Sequence, residues 1–490
     1  MKVIIGFFES RPSLVLFLAT IIYLSLGFTQ DGINFDSATY SVIARNMVEQ
    51  GRWFDPTYTA FYHEQFTTHP PLVMWADALV FKLLGAGDTT ARVFGAFCTL
   101  GAIMATFYLG KEIKSSAYGF LSGLVLLLTY NFIQNGNTSL LDVPLSFFML
   151  VTLWGIARMQ NNDRRWRISV ITGVALGCAF LSKGVVSAPV WIALAVTALF
   201  IRRDWLKSAR FWLVPALGLA LICIHLLLDQ IYADGVFTQR YFASQIWSHW
   251  TGGGREGHEW WYFMYRFGNL YLPFIVLLPF GIYLMLKRKM TLLFPTAIAF
   301  FTFAVFCSKA YLLYYHYFCP AYALSAPLAA IALSAVIRET YVRRIGVGFL
   351  VVWSLLAVGV ITSGMKVHRI RLPEIYEATD TMHTLLQNHS TRQGLFVRDD
   401  SPHWHYVAKT SWYWRSDMLQ VSDFTEASRL LHADEQFAYV FAETKDRLSE
   451  SEASDHGLRV HLENEGIVVY EPSRQSLPPS TIHTEPAASK

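Results

Sequence analysis

The chain has 490 residues and a formal net charge of +4, with 53% hydrophobic and only 16% charged residues. Soluble domains carry about 25% charged residues, so this composition argues against a soluble globular protein and favours one embedded in lipid. The small net charge predicts no nucleic-acid partner. The five cysteines lie in or beside apolar stretches and follow no metal-binding spacing, so we interpret them as apolar packing residues.

Eleven apolar runs are long enough to approach a bilayer span. They cover residues 12–29, 90–109, 117–134, 140–157, 168–182, 185–201, 211–228, 269–286, 291–307, 317–337 and 344–363. No small-residue cleavage site follows the first run, so we interpret it as an uncleaved helix and not as a signal peptide. The sequence therefore predicts an all-α polytopic membrane domain over residues 1–363, with about eleven transmembrane helices and additional interfacial helices.

Lysine and arginine cluster in every second turn between these runs, for example at 158–167 and 202–210. By the positive-inside rule, these turns face the cytoplasm. The alternation predicts a multi-pass protein of the bacterial inner membrane with a cytoplasmic N-terminus and a periplasmic C-terminal region. Two long outer loops then cover about 30–89 and 229–268.

The first outer loop contains two amphipathic segments, 37–47 and 72–84, which we predict to be helices lying along the membrane surface. The second contains three glycines at 252–254 and several tryptophans. This pattern is compatible with a lid over a lipid-linked donor or with an interfacial loop that has no gating role.

The hydropathy falls after the last apolar run. Short strands are predicted at 394–397, 437–441 and 466–470, and helices at 379–387 and 425–432. These elements predict a small periplasmic α+β domain over residues 364–473. The Ser-, Pro- and Thr-rich end, residues 474–490, is predicted to be a disordered tail.

Two acidic residues stand at the outer ends of apolar segments. Asp36 follows the first span, and Asp142 opens the fourth. Either residue can simply cap the N-terminus of the helix behind it. A carboxylate at an apolar helix end is costly unless it is paired, so both are also candidates for a functional role.

Cationic and polar residues fall on the same outer side. Lys183 and Lys309 interrupt apolar sequence, although a lysine near a helix end can also extend to the interface. His69 precedes two prolines that orient a short helix, and it is either a ligand or a surface residue. A carboxylate can take a proton from an acceptor, and fixed cations can stabilise a phosphate leaving group. The combination favours transfer from a lipid-linked phosphosugar.

At these residues the sequence resembles the GT-C superfamily of membrane glycosyltransferases, and within it the protein O-mannosyltransferase and lipid A aminoarabinose transferase families. The resemblance covers roughly residues 1–363. It is carried by motifs in a shared order: Asp36 with Tyr40, then His69-Pro70-Pro71-Leu72, Asp142-Val143-Pro144-Leu145, Ser182-Lys183-Gly184, and Lys309 followed by Tyr317-Phe318-Cys319-Pro320.

The resemblance implies that a sugar leaves a polyprenyl-phosphate donor with inversion at the anomeric carbon. It implies that Asp36 is the base or the acceptor-positioning carboxylate, and that Asp142 orients the acceptor or supports the site. The implied contacts of the donor phosphate are Lys183, Lys309, Tyr317 and His69. Tyr40 is expected to contact substrate.

The sequence also departs from these families. Ser37 follows Asp36 where many relatives have a second acid, and His69 stands where the aminoarabinose transferases often have Glu-Lys. Glu64 is the nearest acidic substitute for a ligand at that position. His249 and His258 in the second loop are either metal or substrate contacts or ordinary loop residues without a functional role. A divalent metal is therefore an open expectation, and the pattern requires none.

Three classes of function follow. The leading prediction is an inverting glycosyltransferase whose acceptor is lipid A, lipopolysaccharide or another envelope glycan, and a protein O-glycosyltransferase is the alternative within the family. A lipid or sugar transporter or flippase would carry inverted repeats and charges at the bilayer midplane, and the sequence has neither. A non-enzymatic scaffold is the third, because the aromatic stretch from Trp404 to Trp414 is either a carbohydrate-binding surface or core. Expected partners are the polyprenyl-phosphate sugar, a glycolipid or protein acceptor, and membrane lipids.

Overall fold

The computed structural model describes residues 10–28, 33, 35–58, 65–243, 259, 261–308, 314–363, 393–397, 412, 418–433, 437–443, 446–463 and 467–473. The chain divides into two compact units. The first comprises Met1–Tyr58 and Glu64–Lys366, and the second comprises Thr59–His63 and Val367–Lys490.

The described part of the first unit is helical. Its α-helices are Pro12–Phe28, Phe35–Gln50, Leu72–Leu84, Val93–Ile113, Ser116–Leu127, Tyr130–Asn135, Asp142–Gln160, Trp166–Lys183, Ala188–Val196, Ala209–Tyr232, Val236–Arg240, Tyr262–Leu270, Leu277–Lys287, Phe294–Cys307, Cys319–Val336 and Glu339–Ser363. A short 3-10 helix, Tyr315–Phe318, directly precedes Cys319–Val336.

Several of these helices can cross a membrane. Six described helices are long and apolar enough, or seven if the bent pair Tyr262–Leu270 and Phe274–Lys287 is one span, and three shorter apolar helices accompany them. The helix Glu339–Ser363 exposes large apolar side chains, such as Leu355 and Val358, which only a lipid environment makes favourable. The chain is therefore a multi-pass membrane protein. Every predicted span overlaps a described helix, while the count of eleven stays a prediction.

The two helices predicted in the first outer loop are present as Phe35–Gln50 and Leu72–Leu84, and they pack against each other. Phe35–Gln50 buries Ala38, Val42 and Met47 completely. Leu72–Leu84 begins directly after Pro71, whose fixed backbone angle suits the entry to a helix. The packing brings the segment of Asp36 close to the segment of His69.

The helix Cys319–Val336 forms the centre of the first unit, and most of its side chains are buried. A neighbouring helix, Leu277–Lys287, approaches it at Gly281. An added Cβ at Gly281 would overlap the carbonyl oxygen of Leu328, which belongs to the backbone of the central helix. This close approach is possible only for glycine.

The described strands of the second unit form one five-stranded sheet. They are β1 (Gln393–Val397), β2 (Met418–Val421), β3 (Phe437–Glu443), β4 (Leu458–Glu463) and β5 (Ile467–Pro472), in the order β2-β1-β3-β5-β4. Strands β2, β1 and β3 are parallel, whereas β3, β5 and β4 are antiparallel. Val440 in the central strand pairs with Leu395 and Tyr470, and all three are buried.

The predicted strands correspond to β1, β3 and β5, and the predicted helix 425–432 corresponds to Phe424–Ala433. The sequence reasoning missed β2, β4 and the short helix Glu450–Asp455, which a capping box at Ser449 and Glu452 begins. The predicted helix 379–387 and the tail 474–490 lie outside the described residues.

Replacing Gly281 by alanine should destabilise the first unit by about 1–3 kcal/mol, because the new methyl group meets backbone that cannot rotate away. Thermal unfolding in detergent measures the effect. Gly348→Ala is the matched control, since nothing lies within 4 Å of its added Cβ. A midpoint for Gly281→Ala that equals that of the control would contradict the close approach of the two helices.

Candidate active site

Four described segments bring polar side chains together in the first unit. Asp36 lies in the first turn of Phe35–Gln50, and Asp142 is the first residue of Asp142–Gln160. Lys183 is the last residue of Trp166–Lys183, which ends because Gly184 has a φ of +64°. His316 and Tyr317 lie in the 3-10 helix Tyr315–Phe318.

A buried ion pair forms the centre of this cluster. The Lys183 ammonium donates a hydrogen bond of 2.6 Å to Oδ1 of Asp142, and the two side chains are only 6% and 3% exposed. The same ammonium lies 3.9 Å from the centroid of the Tyr317 ring, a geometry in which the ring quadrupole attracts the cation. The attraction between the two charges thus offsets the cost of removing each of them from water.

His316 connects the two carboxylates. Its Nε2 lies 3.1 Å from Oδ2 of Asp36 and 4.0 Å from Oδ2 of Asp142. Its ring stacks on Tyr314 at a centroid distance of 5.7 Å, which holds the imidazole in place. The sequence reasoning did not select His316. Its position directly before Tyr317 in the chain was the available signal.

Tyr40 and His69 lie beside this cluster, with ring centroids 6.4 Å apart. Desolvation and the nearby charge of Asp36 raise the pKa of Tyr40 well above its usual range. Desolvation, followed by the positive charge of Lys183, lowers the pKa of His69 to about 3. At neutral pH both groups are therefore uncharged.

The structure thus brings together six of the residues selected from sequence: Asp36, Tyr40, His69, Asp142, Lys183 and Tyr317. The other three, Lys309, Glu64 and His249, lie outside the described residues, as does His258. Over the part of the chain that is described, no group of three or more His, Cys, Asp or Glu side chains is arranged to hold a metal ion.

Arg266 is a further cation near the site that sequence reasoning missed. Its guanidinium lies 5.0 Å from the centroid of the Tyr315 ring and 5.8 Å from that of Tyr262. Tyr315 directly precedes His316 in the chain. Arg266 is therefore held on the same 3-10 helix that supplies His316 and Tyr317.

A narrow aromatic cavity lies behind His69. Its lining includes Phe54, Trp75, His225 and Phe237, and its free volume of about 10 Å³ has room for roughly one water molecule. A sugar ring does not fit there in this conformation.

The fold is that of GT-C membrane glycosyltransferases. ArnT from Cupriavidus metallidurans, solved with undecaprenyl phosphate, superposes with a TM-score of 0.70 at 17% identity, covering 93% of this chain and 97% of that chain. The oligosaccharyltransferase AglB from Archaeoglobus fulgidus, solved with an inhibitory peptide and a dolichol-phosphate, superposes with a TM-score of 0.54 at 15% identity, covering 96% of this chain and 75% of that chain.

Sequence comparison leads to the same class. Residues 68–227 match the profile of the dolichyl-phosphate-mannose-protein mannosyltransferase family. An undecaprenyl phosphate-alpha-4-amino-4-deoxy-L-arabinose arabinosyl transferase of Shewanella sediminis is 25% identical over 188 residues, which are 38% of this chain and 34% of that protein. A second relative with this description, arabinosyl transferase 1 of Pseudomonas fluorescens, is 21% identical over 261 residues. These are 52% of this chain and 45% of that protein.

The shared fold, the family profile and these relatives all resemble membrane glycosyltransferases of the GT-C superfamily. The matched region spans about a third to a half of the length of the two curated relatives. The predicted superfamily is confirmed.

Replacing Lys183 by methionine should lower the free energy of unfolding by about 3–5 kcal/mol, because Asp142 then stays buried without its cation. The double variant Lys183→Met/Asp142→Asn removes both charges and should regain most of that loss. Thermal unfolding of the two variants in detergent tests the pair. Equal midpoints for the single variant and the wild type would show that the ion pair contributes nothing.

His69 should make the protein less stable in mild acid. The unfolded chain takes up a proton on this histidine below its ordinary value of 6.5, whereas the folded protein does so only at about pH 3. The free energy of unfolding therefore has its full value with respect to this histidine above pH 6.5, and it falls as the pH is lowered from there toward 3. The thermal unfolding midpoint of the wild type, measured in detergent at several pH values, should fall more steeply over this range than the midpoint of His69→Gln. Parallel curves would mean that His69 is charged in the folded protein.

Proposed function

We propose that this protein is an inverting glycosyltransferase that moves a sugar from a polyprenyl-phosphate donor to a cell-envelope acceptor. The observation that carries the proposal is the cluster in which His316 bridges Asp36 and Asp142 while Lys183 pairs with Asp142. It combines a proton acceptor with a fixed cation, as transfer from a phosphate leaving group needs.

Asp36 is better suited than Asp142 to act as the base. Its side chain is 20% exposed and can meet an incoming acceptor, whereas that of Asp142 is 3% exposed and is held by Lys183. In the proposed step the acceptor oxygen or nitrogen attacks the anomeric carbon and gives its proton to Asp36. The bond from that carbon to the phosphate oxygen breaks, and polyprenyl phosphate leaves with the electron pair. A single displacement inverts the anomeric carbon.

The phosphate requires more positive charge than Lys183 alone supplies. The described cluster already sets two carboxylates against one ammonium, and a phosphate adds negative charge. We assign Arg266, on the ring of Tyr315, as a second cation for the donor, with Tyr317 and His69 as hydrogen-bond donors. Lys309 stays a proposed phosphate ligand. Glu64 and His249 stay proposed substrate contacts, and His249 and His258 are the alternative ligands of any divalent metal.

The acceptor we favour is a glycolipid of the lipid A or lipopolysaccharide type. Two curated relatives are described as arabinosyl transferases of undecaprenyl phosphate-aminoarabinose, and they support a donor of this kind. A protein hydroxyl is the second candidate, because the matched family profile is described as a protein mannosyltransferase. We place the reaction on the periplasmic face of the bacterial inner membrane, with the N-terminus in the cytoplasm.

The test uses the purified chain in liposomes with two radiolabelled donors, undecaprenyl phosphate carrying aminoarabinose and undecaprenyl phosphate carrying mannose. Lipid A and a mixture of secreted proteins are the acceptors. The wild type should label one acceptor class from one donor. Asp36→Asn should lower the rate by about 100-fold or more, because the acceptor loses its base and orientation.

Asp204→Asn is the matched control, because Asp204 is an exposed carboxylate paired with Arg202 and is not part of the cluster. It should transfer at the rate of the wild type. Turnover by Asp36→Asn at a near-normal rate would remove Asp36 from the mechanism. Movement of the lipid across the bilayer without any labelled acceptor would instead favour the flippase.

A further inference from the structure

A second buried network lies directly behind the two carboxylates. The backbone N–H of Ser139 donates a hydrogen bond of 2.9 Å to the hydroxyl of Ser37. The hydroxyl of Ser139 in turn donates a short hydrogen bond to Oδ2 of Asp77. Ser37, Ser139 and Asp77 are at most 1% exposed, so water does not compete for these bonds.

This network joins three separate segments of the site. Ser37 directly follows Asp36, and Ser139 precedes Asp142 by three residues, just before the helix Asp142–Gln160. Asp77 lies in Leu72–Leu84, the helix that begins just after His69. The three bonded residues therefore connect the backbone of each carboxylate to the helix that follows His69.

A carboxyl group at position 77 lowers the stability of the folded protein. Its second oxygen, Oδ1, is buried and has no hydrogen-bond partner among the described residues. Desolvation raises the pKa of Asp77 to about 7, although the bond from Ser139 partly opposes this effect. An apolar side chain of similar volume would avoid both costs. Costs of this kind are typical of positions that serve function at the expense of stability.

We propose that Asp77 is a positioning residue that sets the distance between Asp36 and Asp142 through Ser139 and Ser37. It touches no substrate and acts by holding the segment of Asp142 against the segment of Asp36. The inference rests on the proposed glycosyl transfer. It predicts that the network controls the rate of the chemical step more than the binding of the donor, because small displacements of reacting groups cost rate steeply.

Three variants separate positioning from folding. Ser139→Ala removes the hydroxyl that reaches Asp77 and keeps the backbone N–H that reaches Ser37. Asp77→Leu removes the acceptor and keeps the number and branching of the heavy atoms, and Asp77→Asn keeps an acceptor oxygen for Ser139. The matched control is Ser122→Ala, because Ser122 is also fully buried, and its hydroxyl donates to Tyr118 O within its own helix and not to the cluster.

The readouts are kcat, the KM for the undecaprenyl-phosphate donor that the wild type uses, and the thermal unfolding midpoint in detergent. Ser139→Ala and Asp77→Leu should lose about tenfold or more in kcat, with KM close to that of the wild type. The unfolding midpoint of Asp77→Leu should equal or exceed that of the wild type. Asp77→Asn should restore most of kcat, and Ser122→Ala should change neither constant.

A wild-type kcat in Asp77→Leu would overturn the inference while leaving the proposed transfer intact. The same holds if Ser139→Ala and Ser122→Ala lose equal activity, since the effect would then come from removing any buried hydroxyl. Failure of the wild type to transfer a sugar from either donor would instead overturn the proposed function, and the positioning role would fall with it.

Discussion

The site is organised around one constraint, which is that Lys183 and Asp142 are buried in an apolar unit and must neutralise each other. Asp142 begins one helix and Lys183 ends the next, so the antiparallel packing of the two helices brings the charges together. The carboxylate lies at a helix N-terminus and the ammonium at a helix C-terminus, where the peptide dipoles favour each charge. Removing either partner leaves a charge that the surroundings cannot solvate.

The other side chains of the site pack around the pair of Lys183 and Asp142. Tyr317 covers the ammonium, and His316 reaches from the same short helix to both carboxylates. Gly184 allows the hydroxyl of Tyr241 to approach the turn after Lys183, where it accepts a hydrogen bond from the backbone N–H of Val185. The turn that carries the lysine is thus held from the outer side as well. This rigidity suits a mechanism in which fixed charges stabilise a leaving phosphate.

The environment also determines which groups carry charge. His69 and Tyr40 contribute hydrogen bonds only, because desolvation keeps them neutral. Asp36 and Asp142 have the same chemistry but different exposure, and this difference separates a carboxylate that can meet an acceptor from one that orients a lysine. In the function we propose, Arg266 on the ring of Tyr315 supplies the second cation for a donor phosphate.

Much of the membrane unit could be read from the sequence, because lipid imposes long apolar runs that periodicity and hydropathy detect directly. The order and sidedness of Asp36, His69, Asp142, Lys183 and Tyr317 were visible as motifs in chain order. Their grouping followed from the rule that costly charges at helix ends are paired. In the second unit, the sequence reasoning missed β2 and β4 because short strands carry little pattern of their own and depend on their neighbours in the sheet.

What the sequence determined by itself is therefore the membrane class, the outline of the helices and the residue types of the site. Only the tertiary structure decided that His316 bridges the two carboxylates, that Arg266 lies against Tyr315, and that Asp77 reaches Ser139. Each of these contacts joins segments tens to hundreds of residues apart or depends on the turn of a short 3-10 helix. Local sequence patterns carry no information about such distances, because packing between helices sets them.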